Sequence, residues 1–218
     1  MKFGAVIFDM DGLLINSERL SLQAFQDNCD NFEIGDQLDL FMQLLGTNRA
    51  TTQSILAQQL DPAIHWQSFL QQWDDRYHTL TSNGVPLMKG VVKLLDYLEE
   101  RNIPVAVATS TNTDKARIKL EQSRILHRFQ TVTGGEQVDN GKPAPDIYEL
   151  AAQSVGVEPA HCVALEDSAN GVRAAVSARM HAIQIPDMAA PDEALLALGH
   201  TVLDSLDDVI GYLDILSA

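Results

Sequence analysis

Short, wholly apolar runs alternate with amphipathic stretches from residue 88 onward, and that alternation narrows the fold more than any other feature. Residues 103–108 (IPVAVA) read as a strand. Before them Val91, Leu94, Leu95 and Leu98 follow the i, i+3, i+4, i+7 spacing of one helix face. A weaker strand is expected at 129–132, and clearer ones at 162–165 and 182–185. Helical patterns fall at 146–155, 168–178 and 205–216, the last with Leu206, Val209, Ile210 and Leu213 on one face. Residues 3–8 add a strand that is apolar on both faces. Strands alternating with helices pair in parallel and carry helices on both sides. The expected fold class is therefore α/β, a doubly wound, Rossmann-like parallel sheet.

Residues 17–85 break the rhythm. No strong strand pattern occurs there; helices are expected at 17–29, 35–45, 48–59 and 64–80. The stretch holds seven of the chain's thirteen aromatics: Phe25, Phe32, Phe41, Trp66, Phe69, Trp73 and Tyr77. A helical segment with its own aromatics has the material for a small core of its own. Its links to the sheet would lie near 14–17 and 82–88, the second containing Gly84 and Pro86. The expected organisation is a core domain of residues 1–15 plus 87–218, and a helical cap domain of residues 16–86.

Composition limits the partners. A formal net charge of -15 opposes binding to nucleic acid or to an anionic membrane surface. A small anionic substrate stays compatible, because local charge and a bound cation can outweigh the sum. No apolar run approaches the length of a membrane span. The two cysteines, Cys29 and Cys162, form no C-x-x-C pair and read as reduced thiols. The apolar stretch before Asp9 is too short for a secretory signal. A cytoplasmic protein, monomeric or weakly self-associating, is expected.

Ligands in doubly wound sheets bind at the carboxyl ends of strands, so the residues that follow each strand are the candidates. The first strand ends at Asp9-Met10-Asp11-Gly12, the 103–108 strand at Thr109-Ser110-Thr111-Asn112, and the 162–165 strand at Glu166-Asp167-Ser168. A loop after the weak strand carries Gly141-Lys142-Pro143-Ala144-Pro145-Asp146. Carboxylates, hydroxyls and one lysine on one edge suit a divalent cation together with a phosphate. Singly, each element has a plain structural explanation: helix caps for Thr109-Ser110 and for Glu166-Asp167-Ser168, an exposed loop lysine for Lys142. Their joint placement favours chemistry. In an extended strand, side chains i and i+2 point the same way, so Asp9 and Asp11 could both face one phosphorus.

The stretches FDMDGLLINSE (8–18), VAVATS (105–110), GKPAPDIY (141–148) and LEDSANGVRAA (165–175) together resemble the haloacid dehalogenase superfamily. Within it, the pattern is similar to the group of β-phosphoglucomutase-like sugar phosphatases with a helical cap after the first strand. The resemblance covers essentially the whole chain. It implies a magnesium-dependent phosphatase acting on a small phosphorylated metabolite, such as a sugar phosphate. Asp9 would be the nucleophile that forms an aspartyl-phosphate. Asp11 would serve as general acid for the leaving alcohol, then as base for the attacking water. Thr109 would hydrogen-bond a phosphoryl oxygen, with Ser110 and Asn112 also on the substrate. Lys142 would offset the charge of Asp9 and the phosphate. Mg2+ would be held by Asp9, the Asp11 carbonyl and Asp167, with Glu166 as a ligand or just behind one. The stretch Gly46-Thr47-Asn48-Arg49 is similar to the cap loop that directs an arginine toward the substrate, which makes Arg49 the cap candidate. The cap aromatics are expected to be that domain's own core.

Three positions depart from the family's pattern. The first cap helix of the mutases usually carries a histidine where this chain has Ser21, which favours hydrolysis over phosphomutase chemistry. The usual aspartate before Ser17-Glu18 is Asn16. The usual glycine after Ala178 is Arg179, which would cost on the order of 1 kcal/mol if it adopts the left-handed conformation. A phosphomutase is the principal alternative. A phospho-accepting signalling module and a silent binding protein on the same scaffold are disfavoured by the helical insertion, by the second aspartate and by the completeness of the motifs.

Overall fold

The computed structural model describes residues 3–47 and 49–217. In chain order its elements are β1 (Ala5–Phe8), α1 (Ser17–Asn31), α2 (Leu38–Leu44), α3 (Arg49–Gln59), α4 (Trp66–Thr81), α5 (Val91–Glu100) and β2 (Val105–Ala108). These are followed by α6 (Thr113–Gln122), β3 (Thr131–Thr133), α7 (Asp146–Ser154), β4 (Cys162–Glu166) and α8 (Ala169–Ser177). The chain finishes with β5 (His181–Gln184), α9 (Glu193–Leu196), β6 (Thr201–Val202) and α10 (Leu206–Ser217). It divides into two compact units, one running up to Asn16 and resuming at Val85, the other Ser17–Gly84.

The first unit is built on one sheet of order β3-β2-β1-β4-β5-β6, and every neighbouring pair is parallel. All residues of β1, β2 and β4 are buried, which is why β1 and β2 are apolar throughout and β4 is apolar up to its last residue, Glu166, instead of alternating. Ala5 and Ile7 pack with Ala106, Ala108 and Ala164 of the adjacent strands against Ile147, Tyr148 and Ala151 of α7 and Ala174 and Ala175 of α8. The small side chains let these helices approach the sheet closely. Elsewhere in the unit α5 and α10 pack on each other, and Tyr97 of α5 donates to Asp214 of α10 at 2.6 Å. No helix among the described residues is long and apolar enough to cross a membrane.

Successive strands are added on one side of β1 up to β3, and on the other side from β4 onward. The loops after β1 and β4 therefore diverge, and the crevice this opens at the strand ends is where doubly wound folds bind ligands. The pairing of Phe8 with both Val107 and Leu165 brings the next residues, Ala108, Asp9 and Glu166, into one row. After Asp9 the chain folds back at once: Gly12 adopts φ 87°, Gly12 N donates to Ile15 O, and Leu14 N and Ile15 N both donate to Met10 O. That left-handed φ suits a glycine.

The second unit is helical. Phe25 stands at the middle of its core, 5.4 Å from Phe41, 5.5 Å from Phe69 and 5.1 Å from Trp73, ring centre to ring centre. Trp73 closes this cluster by donating its indole N–H to Ser21 O at 3.0 Å. A buried hydrogen bond from Asn28 to Phe69 O, 2.9 Å, ties α1 to α4.

Three elements escape the apolar pattern: α6, which buries only Ala116 and Leu120, α9, which is four residues long and buries only Leu195, and β6, which is two residues long. Arg179 does take a left-handed conformation, φ 63°, at the end of α8, where Arg179 N donates to Val176 O and Met180 N to Ala175 O.

Candidate active site

The row formed by Ala108, Asp9 and Glu166 is spanned by one side chain. Lys142, on the loop before α7, donates to Asp9 Oδ1 at 2.5 Å, to Ala108 O at 3.0 Å and to Glu166 Oε1 at 2.6 Å. A lysine ammonium has three hydrogens, and these three partners account for all of them. The Lys142–Pro143 peptide is cis. Lys142 and Asp9 are nearly sealed, with 5% and 9% of their side chains exposed, and Glu166 is fully buried. Burial pushes the Asp9 carboxyl up; Lys142 pulls it down, Glu166 and Asp11 push it up again, and it settles at about 7. For Lys142 burial acts downward, but the carboxylates of Asp9 and Glu166 hold it well above its usual range. Burial would raise Glu166, yet Lys142 and the surrounding donors bring it below the ordinary carboxylate value.

Glu166 is the most heavily bonded group in the site. Its Oε1 accepts from Lys142 and from Tyr148 Oη, the latter at 2.9 Å. Its Oε2 accepts from Asp167 N, Ser168 N and Ser168 Oγ, each at 3.0 Å. The carboxylate lies under the start of α8, where helix geometry leaves amides to be satisfied. Ser168 caps that helix, its Oγ accepting from Gly171 N at 3.1 Å. A Cβ at Gly171 would overlap the Glu166 carboxylate, so the glycine of the LEDSANG stretch exists to make room for it. Tyr148 also lays its ring 5.0 Å from Lys142 Nζ. Burial first, then the nearby Glu166 and Asp9 carboxylates, hold its phenol well above the usual value, so it remains a donor.

Carboxylate oxygens of Asp9, Glu166 and Asp167 come within 4.8 Å of one another, the kind of hard-oxygen set that suits Mg2+, Ca2+ or Mn2+. Both Glu166 oxygens carry donors, which ties that carboxylate to Lys142 and to the start of α8. Asp167 is steadied from behind, its carbonyl accepting from Gln184 Nε2 at 3.0 Å. Gln184 in turn meets His200 Nε2 at 2.9 Å.

Asp11 does not share Asp9's lysine. Its Oδ2 accepts from Thr111 Oγ1 at 2.7 Å and its Oδ1 from Lys119 Nζ at 2.8 Å. Thr109 is buried at the end of β2, and its Oγ1 accepts from Thr111 N at 3.1 Å, which leaves the hydroxyl hydrogen to donate elsewhere. Ser110 is exposed beside it. Asn112 acts as the N-cap of α6, its side chain accepting from Asp114 N at 3.2 Å. Arg49, in the helical unit, makes a two-pronged pair with Asp74 at 3.0 and 2.7 Å. Asn48, from the same loop, lies outside the described residues. Sequence reasoning assigned no part to Tyr148, Lys119, Thr111 or Gly171. Tyr148 and Gly171 sit inside stretches singled out by resemblance, whereas Lys119 lies on a helix with little apolar pattern and nothing local marks it.

Residues 6–185 fit the model of the haloacid dehalogenase-like hydrolase family. A phosphorylated carbohydrates phosphatase of Thermotoga maritima is 30% identical over 96% of this chain and 97% of its own length. A β-phosphoglucomutase of Bacillus subtilis is 30% identical over 83% of the chain and 82% of its own. Among solved structures, a hydrolase from Deinococcus radiodurans with bound phosphate and sodium superposes with a TM-score of 0.81 at 29% identity, covering 98% of this chain and 96% of that one.

Proposed function

The chain belongs to the haloacid dehalogenase-like hydrolases, and from that premise we propose that it is a phosphatase hydrolysing a small phosphorylated metabolite, a sugar phosphate in the first instance, through an aspartyl-phosphate on Asp9. The observation that carries the mechanism is the Asp9–Lys142–Glu166 row. A buried carboxylate at the end of the central strand is held 2.5 Å from a lysine that Glu166 and Tyr148 keep in place. In this reading Asp9 attacks phosphorus, and its P–O bond forms as the alcohol departs. Asp11 moves the proton in each half of the reaction. The Thr109 hydroxyl and the Ser110 amide bind phosphoryl oxygens, and Lys142 neutralises charge as phosphate meets the nucleophile. Asp9, Asp167 and the Asp11 carbonyl would hold Mg2+, whose contribution when bound is to offset the negative charge brought together at phosphorus. Glu166 then serves to orient Lys142. On the same reading the helical unit is a cap, and Arg49, with Asp74, is its candidate for substrate recognition.

The test is release of inorganic phosphate, with Mg2+ present, from p-nitrophenyl phosphate and from a panel of sugar, nucleotide and glycerol phosphates. Turnover of one or more members is expected, and D9N should reduce it at least a thousand-fold while the fold is kept, on the scale of losing a covalent nucleophile. Retained turnover in D9N would remove Asp9 from its role. Conversion of a hexose 1-phosphate to the 6-phosphate without net phosphate release would make the protein a mutase instead.

A further inference from the structure

The two aspartates of the first motif are served by different lysines. Lys142 reaches Asp9 from the loop before α7, while Lys119 reaches Asp11 from the last turn of α6. Thr111 completes the second arrangement, so each Asp11 oxygen accepts from a different donor, at 2.7 and 2.8 Å. The pair is half-buried, with 22% of the Lys119 side chain and 26% of the Asp11 side chain exposed. The helix that carries Lys119 is fixed at its start. Asn112 caps Asp114 N, both oxygens of Glu136 accept from Thr113 N at 3.1 and 3.0 Å, and Gly135 N donates to Thr111 O at 3.1 Å. Lys119 is thus presented by an anchored helix, and Thr111 lies on the loop that the same contacts brace.

We propose that Lys119 is the positioning residue for Asp11. With Thr111 it holds the carboxylate in place, aimed to take the proton of the water that hydrolyses the aspartyl-phosphate. This rests on the reading of Asp9 as the phosphorylated residue. In that half-reaction the water oxygen forms a bond to phosphorus, and the P–O bond to Asp9 breaks with its electron pair returning to the Asp9 carboxylate. One water proton passes to an Asp11 oxygen, and the other stays on the released phosphate. A carboxylate whose oxygens each accept a hydrogen bond from a fixed donor has its remaining lone pairs oriented, and a base must present a lone pair along the path of the proton it takes. The first half-reaction depends less on this arrangement when the leaving group needs no proton.

The two halves separate with p-nitrophenyl phosphate, whose phenolate departs without an acid. Lys119→Met removes the charge with little change in volume. With Mg2+ and p-nitrophenyl phosphate in a stopped-flow instrument, K119M should show a burst of about one nitrophenolate per enzyme, followed by turnover about 10- to 100-fold slower than wild type. KM should fall by the same factor as kcat, leaving kcat/KM within about threefold, and phosphoenzyme should accumulate on acid quench. Lys119→Arg should restore part of the rate. Thr111→Val, which removes the other donor, should give a smaller burst of the same kind and carries the test alone if K119M does not fold. An unchanged kcat in both variants would overturn the proposal, as would a loss confined to kcat/KM with no burst. No turnover of any ester by the wild-type protein, or full turnover by D9N, would instead count against the phosphatase reading itself.

Discussion

Adding one methyl group at Gly171 tests whether the buried carboxylate beneath α8 organises the site. A Cβ there would overlap the carboxylate of Glu166. That carboxylate cannot simply swing aside, because it is fully buried and receives bonds from Lys142, Tyr148, Asp167 N, Ser168 N and Ser168 Oγ. The helix cannot easily yield either, since Val172, Ala174 and Ala175 are packed with no exposure. Moving the carboxylate far enough to admit a methyl group breaks two or more bonds to a charged acceptor, each about 1.5–3 kcal/mol, a loss of about 3–6 kcal/mol. Alanine returns up to about 1 kcal/mol of helix propensity over glycine. The net expectation for Gly171→Ala is a destabilisation of about 2–5 kcal/mol, or a fall in Tm of about 4–20 °C for a chain of this size.

Urea denaturation followed by circular dichroism measures this directly, and a double-mutant cycle identifies the cause. In a Glu166→Ala background the obstacle is gone, so G171A should become neutral or slightly stabilising, although Glu166→Ala itself is costly because it strands Lys142. G171A within about 1 kcal/mol of wild type would refute the reasoning. So would an equal cost in both backgrounds, because the penalty would then belong to the helix and not to the carboxylate.

Two further predictions concern a strained residue and the proton on Asp9. Arg179 carries φ 63° at the end of α8, where glycine is unstrained; Arg179→Gly should raise stability by about 0.5–1 kcal/mol once glycine's greater unfolded-state freedom is subtracted, and a lowered urea midpoint would contradict it. Asp9 is held at about 7, by burial first, so a cation binding to it must displace a proton when the pH lies below that value. Mg2+ affinity should therefore weaken by up to about tenfold between pH 7 and pH 6 and level off above about pH 8; calorimetry in two buffers of different ionisation enthalpy should detect proton release at pH 7, and equal affinities at pH 6 and pH 8 would exclude this account.

What could be read in advance follows from how far each signal reaches along the chain. The strands of the sheet announce themselves because a strand buried on both faces must be apolar at every position, as in AVIF and VAVA. The helical insertion shows as a loss of that rhythm, and three of its aromatics, Phe41, Phe69 and Trp73, pack around Phe25. Arg179 was legible because a missing glycine after a helix leaves its backbone conformation behind. By contrast β6 is too short for any pattern, and α6 buries too little to mark itself. Pairings were harder still. Asp11 and Lys119 are 108 residues apart, and Asp9 and Lys142 are 133 apart. Arg49 could be singled out, but nothing in its loop points to Asp74 on another helix.

Parallel register is what turns these distant stretches into one site, and it also decides which charges cancel. Because Phe8 pairs with Val107 on one side and Leu165 on the other, three motifs that follow three strands end in a single row. A lysine entering from a fourth loop then meets Asp9 and Glu166 together. Reading the motifs one at a time makes Glu166 and Asp167 equivalent, two adjacent acids that could both bind a cation. The bonding separates them. Glu166 has both oxygens engaged by five donors and offsets the charge of Lys142, whereas the carbonyl of Asp167 is anchored by Gln184. Beside Lys142 and Glu166, the carboxylates of Asp9 and Asp167 bring up to two further negative charges to one strand end when both are ionised. That is the charge of a divalent cation, and it explains why a chain would bury a lysine and still place two acids beside it. On the proposed reading the lysine steadies the nucleophile, and Asp9 and Asp167 would meet the metal.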